Sequence, residues 1–223
     1  MTYVFQFGIV FDQFHRMVEG AWLTIQLATG ALVLGLLVAV TCAYLRTAGP
    51  RWLRAPVVAY VELIRNTPLL VQLYVIFFAL PGLGLRLDAN HAALAAMVIN
   101  FGAYATEIVR AGVQSVPSGQ IEAGRALSLT RFQIYRFIVI FPALQAVYPA
   151  LASQFVLLLL GSSVVSAISA SELTAISNTL QSTTFRAFEV YIIATLMYLA
   201  IAVAFRGFFA AVYWLVFVRG RGR

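Results

Sequence analysis

The sequence predicts an all-α, polytopic membrane protein, and three observations carry that prediction. Of the 223 residues, 62% are hydrophobic and only 10% are charged. Mean hydropathy is +0.91. Charge-free apolar runs of near-bilayer length recur along the chain. Soluble domains are near half apolar and a quarter charged, so an ordinary water-soluble globule is excluded. With 15 Gly, one Cys and 17 Phe, collagen-like, disulfide-framework and disordered classes are excluded as well. All 15 basic residues are arginine. The missing lysine rules out a P-loop ATPase, a Schiff-base enzyme and a pyridoxal enzyme, each of which needs an amine at its reacting centre.

A membrane-spanning helix needs about 20 apolar residues to cross about 30 Å of hydrocarbon. Five stretches qualify. Residues 1–20 form a short lead-in helix expected on the outer surface, without the basic start of a signal peptide. Ala21–Leu45 is the first span and is free of charge. Asn66–Leu85 is the second, beginning near Pro56 with Glu62 and Arg65 at its mouth, and Ala89–Thr106 is the third. Phe137–Ser171 is charge-free for 35 residues, too long for one straight crossing, so it must bend or stop at Pro142, Pro149 or Gly161. One span is expected to end near Gly161, followed by a re-entrant or surface segment. The fifth is Val190–Val218, interrupted by Arg206, which faces a lumen or, the favoured reading, snorkels.

The arginines set the orientation. Arg46, Arg51, Arg54, Arg110, Arg125, Arg131, Arg136, Arg219, Arg221 and Arg223 fall on one side, and Arg16, Arg86 and Arg186 on the other. The positive-inside rule makes the first side cytoplasmic, with the N-terminus outside and the C-terminus inside. The net charge of +7 thus reports topology, not nucleic-acid binding. Cys42 lies inside a span and reads as a packing residue, and His15 and His91 lack the neighbours of a metal site.

The longest inner segment, residues 111–136, is a different kind of sequence. Pro117 and Gly119 break it, Glu122–Leu127 is helix-forming with small Ala123, Gly124 and Ala126, and Ser128 and Thr130 punctuate it before Phe132, Ile134 and Tyr135. As residues alone, it fits either a hairpin lying on the inner leaflet or an element docking into a partner's groove.

Glu122-Ala123-Gly124, followed by Ser128, Ile138 and a nearby proline, resembles the EAA loop of bacterial ABC-importer permeases. Tyr60–Leu73, Ala103–Pro117, Ser171–Thr174 and Thr184–Tyr191 resemble the polar-amino-acid branch of that family. The likeness runs over nearly the whole chain from residue 20. It departs from the pattern where Gly124 replaces the second alanine and Ser128 the usual glycine. Leu160-Gly161-Ser162-Ser163 also lacks a charged pair that the family carries after its fourth span.

The resemblance implies a type I ABC-importer transmembrane fold in a single domain over residues 1–223. It implies import of a polar amino acid across the bacterial inner membrane by alternating access. It further implies no catalytic residue, metal or cofactor in this chain, with ATP and Mg bound by separate cytoplasmic ATPase subunits. Its other partners would be a periplasmic or extracellular amino-acid-binding protein and a second permease, identical or different. Glu122, Ala123, Gly124, Arg125, Ser128 and Arg131 would couple the chain to the ATPase.

Opposite charges at helical spacing, Glu62/Arg65, Glu107/Arg110, Glu122/Arg125, Arg186/Glu189 and Asp12/Arg16, read as interfacial neutralisation. For Glu62, Arg65, Glu107 and Arg110 a gate brace is the competing reading. Glu172 has no nearby arginine and reads as a binding-protein contact, an outer-gate amine ligand or a solvated loop carboxylate. Asn100, Tyr104, Gln154, Ser162 and Ser163 are polar positions within spans, fit for a substrate path or for helix–helix hydrogen bonds; Asn66 and Gln72 are weaker candidates. An ATP-independent transporter or channel is the alternative, disfavoured by the EAA-like loop and by the absence of an internal inverted repeat.

Overall fold

The computed structural model describes residues 3–219. A one-turn helix α1 (Phe7–Phe11) leads into α2 (Phe14–Thr47), followed by α3 (Arg51–Arg65) and α4 (Leu69–Tyr74). The latter continues through π and 3-10 turns to Leu83. Next come α5 (Ala89–Gln114), α6 (Ser118–Ala126), α7 (Arg131–Gln133) and α8 (Ile140–Gly161), the last two joined by a π-helical stretch Ile134–Val139. A 3-10 segment Ser162–Ile168 leads to α9 (Leu173–Thr184) and α10 (Ala187–Tyr213), which ends in a π-helical turn Trp214–Val218. Among the described residues there is no strand. Four helical runs are long and apolar enough to span a bilayer: Phe14–Thr47, Ala89–Gln114, Arg131–Ile168 and Ala187–Val218.

Three boundaries differ from the sequence reading, one being the third span, which runs on past Thr106 to Gln114. The lead-in expected over residues 1–20 divides: only Phe7–Phe11 is separate, and Phe14–Gly20 is already the first two turns of α2. The second span is not one straight helix. Pro68 cannot donate a helical hydrogen bond and pushes Thr67 out of helical geometry, so α3 and Leu69–Leu83 meet at 111°. The fourth run matches expectation, since α8 stops at Gly161. Pro142 sits just after the π-helical stretch, whose wider turn accommodates a residue without an N–H. Of the arginines placed on the inner side, Arg221 and Arg223 lie outside the described residues.

Small side chains hold the core together. In α2 the small buried residues are Gly20, Ala21, Thr24, Ala28, Ala31, Gly35, Ala39 and Ala43, spaced so that one face lets a second backbone come close. α5 answers with Ala92, Ala93, Ala96, Gly102, Ala103 and Ala105. A methyl group on Gly35 would lie 3.3 Å from both the Gly102 nitrogen and the Val98 oxygen, and one on Gly102 would meet Val38 at 2.9 Å. With no hydrophobic drive between helices in lipid, this close packing is what associates them.

Candidate functional site

The chemistry-bearing residues fall into four groups, and the first surrounds the break between α3 and α4. A broken backbone at membrane depth is tolerated only where its freed polar groups find partners. Here Gln72 Nε2 donates to the carbonyls of Ile64 and Thr67 at 2.8 and 3.0 Å. Asn100 Nδ2 donates to Gln72 Oε1 at 3.0 Å, and the Tyr104 hydroxyl to the Arg65 carbonyl at 3.4 Å. Asn100 and Tyr104, expected on a substrate path, thus brace a broken helix, with Gln72 at the centre of the brace. The Glu62/Arg65 pair does not form: Glu62 accepts from Asn66, and the Arg65 guanidinium lies 5.5 Å from the Tyr104 ring centroid.

The second group is a three-member charge cluster. Arg110 chelates Glu107 through Nε and Nη2 at 3.1 and 2.8 Å, and Arg46 from the end of α2 pairs with the same carboxylate. Sequence spacing finds Arg110 but not Arg46, which is 61 residues away along the chain. The cluster ties the same ends of α2 and α5 together.

Glu172 centres the third group. It is 0% exposed, so a role as a solvated carboxylate or as a direct contact for a soluble binding protein does not fit this conformation. It caps α9 by accepting from the Ala175 N–H at 2.8 Å and receives the Tyr198 hydroxyl at 2.5 Å and the Thr24 hydroxyl at 3.4 Å. The Thr24 oxygen in turn accepts the Leu173 N–H at 3.2 Å. Gly20 makes the approach possible: a methyl there would lie 3.0 Å from Leu173 Cα. Glu172 therefore joins α2, α9 and α10. At the neighbouring end of α10, buried Glu189 receives the Tyr3 hydroxyl at 2.5 Å and the Gln6 N–H at 2.9 Å, with Arg186 at 3.8 Å.

The fourth group is the segment after α5. α6 ends in a Schellman turn: the Leu129 N–H reaches the Gly124 carbonyl at 3.1 Å, the Ser128 N–H reaches that of Arg125 at 2.9 Å, and Ser128 adopts φ 58°. Thr130 and Gln133 then form a reciprocal capping box that starts α7. Gly124 is buried, and a methyl there would meet Ile138 Cδ1 at 2.6 Å, so Gly124 packs inward and is not available to a partner. Glu122, Ala123, Arg125, Ser128 and Arg131 remain exposed. Beside them Leu127 and Phe132 are 75% and 77% exposed. A 590 Å³ cavity opens between this segment and the end of α2, bounded by Tyr44, Arg125, Arg131 and Tyr135. The i,i+3 pair Glu122/Arg125 does not form, nor does Asp12/Arg16, among the described residues; both lie in water-facing positions where such pairs contribute little.

The other expected path residues do not converge. The Ser162 and Ser163 hydroxyls donate back to the carbonyls of Leu159 and Leu160, and Gln154 is half-buried on α8. Ser163 lines a cavity of 420 Å³ between α8 and α10. No group of three or more metal-ligating side chains occurs among the described residues.

An all-helical bundle with four to five candidate membrane spans, one of them bent, and a short helix carried outside it defines a polytopic membrane protein. The chain matches the family described as binding-protein-dependent transport system inner membrane component over residues 31–214. It belongs to that family and is a multi-pass inner-membrane protein and a transport subunit, not an enzyme. It is 35% identical over 214 residues to an octopine transport system permease protein of Rhizobium meliloti, covering 92% of this chain and 87% of the relative. It is also 35% identical to a probable glutamine ABC transporter permease protein of Bacillus subtilis, over 88% of this chain and 91% of that one. Among solved structures, an amino acid ABC transporter chain superposes with a TM-score of 0.89 at 32% identity, covering 96% of this chain and all of the other.

Proposed function

We propose that this chain is the permease subunit of an ATP-driven importer of a polar amino acid, working by alternating access with cytoplasmic ATPase subunits, an external binding protein and a second permease chain. The exposed apolar and basic surface on α6 and α7 carries this reading. Leu127 and Phe132 stand out beside Arg125 and Arg131 on a segment anchored by its own core of Val116, Ile134, Val139 and Ala143. A surface so exposed on so well-braced a support fits docking better than lying loose on lipid. Glu122, Ala123, Arg125, Ser128 and Arg131 are the proposed coupling contacts, and Gly124 supports them from beneath. Relatives named for octopine and glutamine transport support the substrate class. The N-terminus is outside and the ends of α2 and α5 that hold Arg46, Glu107 and Arg110 are inside, where that cluster braces the inner gate.

The test is reconstitution with an ATPase subunit and a binding protein in proteoliposomes. Ala123→Glu is expected to leave the complex inserted and hydrolysing ATP but to lower uptake at least tenfold. Undiminished uptake in that variant removes the coupling role, and ATP-independent uptake by this chain alone overturns the importer reading.

A further inference from the structure

Arg206 lies within the α10 span and is exposed, with no hydrogen bond, ion pair or ring contact among the described residues. A cation at such depth with no partner is costly unless it faces water or a ligand. It is eight residues from Trp214, about 12 Å along the helix.

The guanidinium stands where two cavities meet. One, of 630 Å³, lies between α8 and α10 and is bounded by Tyr148, Ser153 and Tyr213. The other, of 420 Å³, runs on past Ser163, Thr195 and Tyr198. Both share Val156, Leu160 and Arg206. The Tyr148 hydroxyl donates to the Phe209 carbonyl at 3.0 Å, and Phe155 packs on Phe205 and Phe209, so the walls are held in place.

Among the described residues no acid pairs with this charge: Glu172 is enclosed by Ala175, Thr24 and Tyr198, Glu107 is held by Arg46 and Arg110, and Glu189 by Tyr3, Gln6 and Arg186. We propose that Arg206 binds the α-carboxylate of the transported amino acid within this groove. Guanidinium and carboxylate match as a two-pronged pair, and water exclusion strengthens it. Ser163, Thr195 and Tyr198 line the side where the ammonium and a polar side chain would extend, their hydroxyls donating to the Leu160 and Tyr191 carbonyls and to Glu172. The inference rests on the amino-acid importer reading and names the residue that recognises the feature common to all its substrates.

The test places a reporter one helical turn away. Ala210→Cys, made with Cys42→Ala in the permease–ATPase complex, is treated with a charged methanethiosulfonate. A mixture of the twenty L-amino acids is expected to slow labelling at least fivefold, the same mixture as α-carboxamides is not, and adding Arg206→Gln is expected to abolish protection. Absence of labelling means that the groove faces lipid and overturns the proposal. Labelling without protection, or equal protection by the carboxamides or in the Arg206→Gln background, overturns it too. ATP-dependent uptake of the same mixture by the wild-type complex is measured separately. Its absence counts against the importer reading while leaving the site assignment to the labelling result.

Discussion

Ser128 is held in the left-handed region at φ 58°, where a side chain costs about 1 kcal/mol and glycine does not. Ser128→Gly should therefore raise the thermal midpoint of the detergent-solubilised complex slightly; a fall would show that the hydroxyl is needed for stability. Glu172 is the reverse case, a buried acid whose partners all come from this chain. Glu172→Ala removes the acceptor of the Ala175 N–H and the 2.5 Å acceptor of the Tyr198 hydroxyl, while Thr24 keeps the Gly20 carbonyl at 3.0 Å, and should destabilise by about 1–3 kcal/mol. Thermal unfolding of the two variants separates these outcomes by sign. Spacing alone marked Glu172 as unusual but could not reveal its partners, because Thr24 lies 148 residues away. Arg46 escaped notice for the same reason.

At the scale of elements, α6 shows how one short segment divides its residues between inside and outside. Ala123 faces out and Gly124 faces Ile134 and Ile138. Changes at these adjacent positions should thus fail differently. Ala123→Glu uncouples with the segment intact, whereas Gly124→Leu displaces α6 and should expose residues 115–130 to limited proteolysis. α5 begins at Asp88, whose carboxylate accepts the Asn90 N–H at 3.1 Å and is held below the usual carboxylate range, chiefly by hydrogen bonding to His91. A depressed folded value means that the cap's contribution is complete above the ordinary aspartate value and is lost as pH falls through the lower, folded one. Asp88→Ala should lower the thermal midpoint at pH 7, and the gap from wild type should close in strong acid. The α3–α4 bend was half-legible: Pro68 announces a break, but the apolar run on either side of it reads as one span.

For the whole molecule, close approach of α2 to α5 is the principal packing event, and it depends on small residues. Gly35→Val would place methyl groups against Phe101 and the α5 backbone and should cost about 1–3 kcal/mol, seen as poor recovery of folded protein by size-exclusion chromatography. The sequence by itself determined the all-helical membrane class, the fourth and fifth spans to within a few residues, the end of the first and the start of the third, and the location of the short-helix segment between α5 and α8. Those follow from local quantities: apolar length against bilayer thickness, proline positions and the distribution of arginine. Only the tertiary structure decided that Asn100 and Tyr104 hydrogen-bond to a broken helix, that Gly124 faces inward, that Glu172 is a sealed joint, and that Arg206 has no counterion among the described residues where it lines two cavities. Partners for a polar group in lipid come from whichever helix lies alongside, and which helix that is depends on packing between residues far apart in the chain.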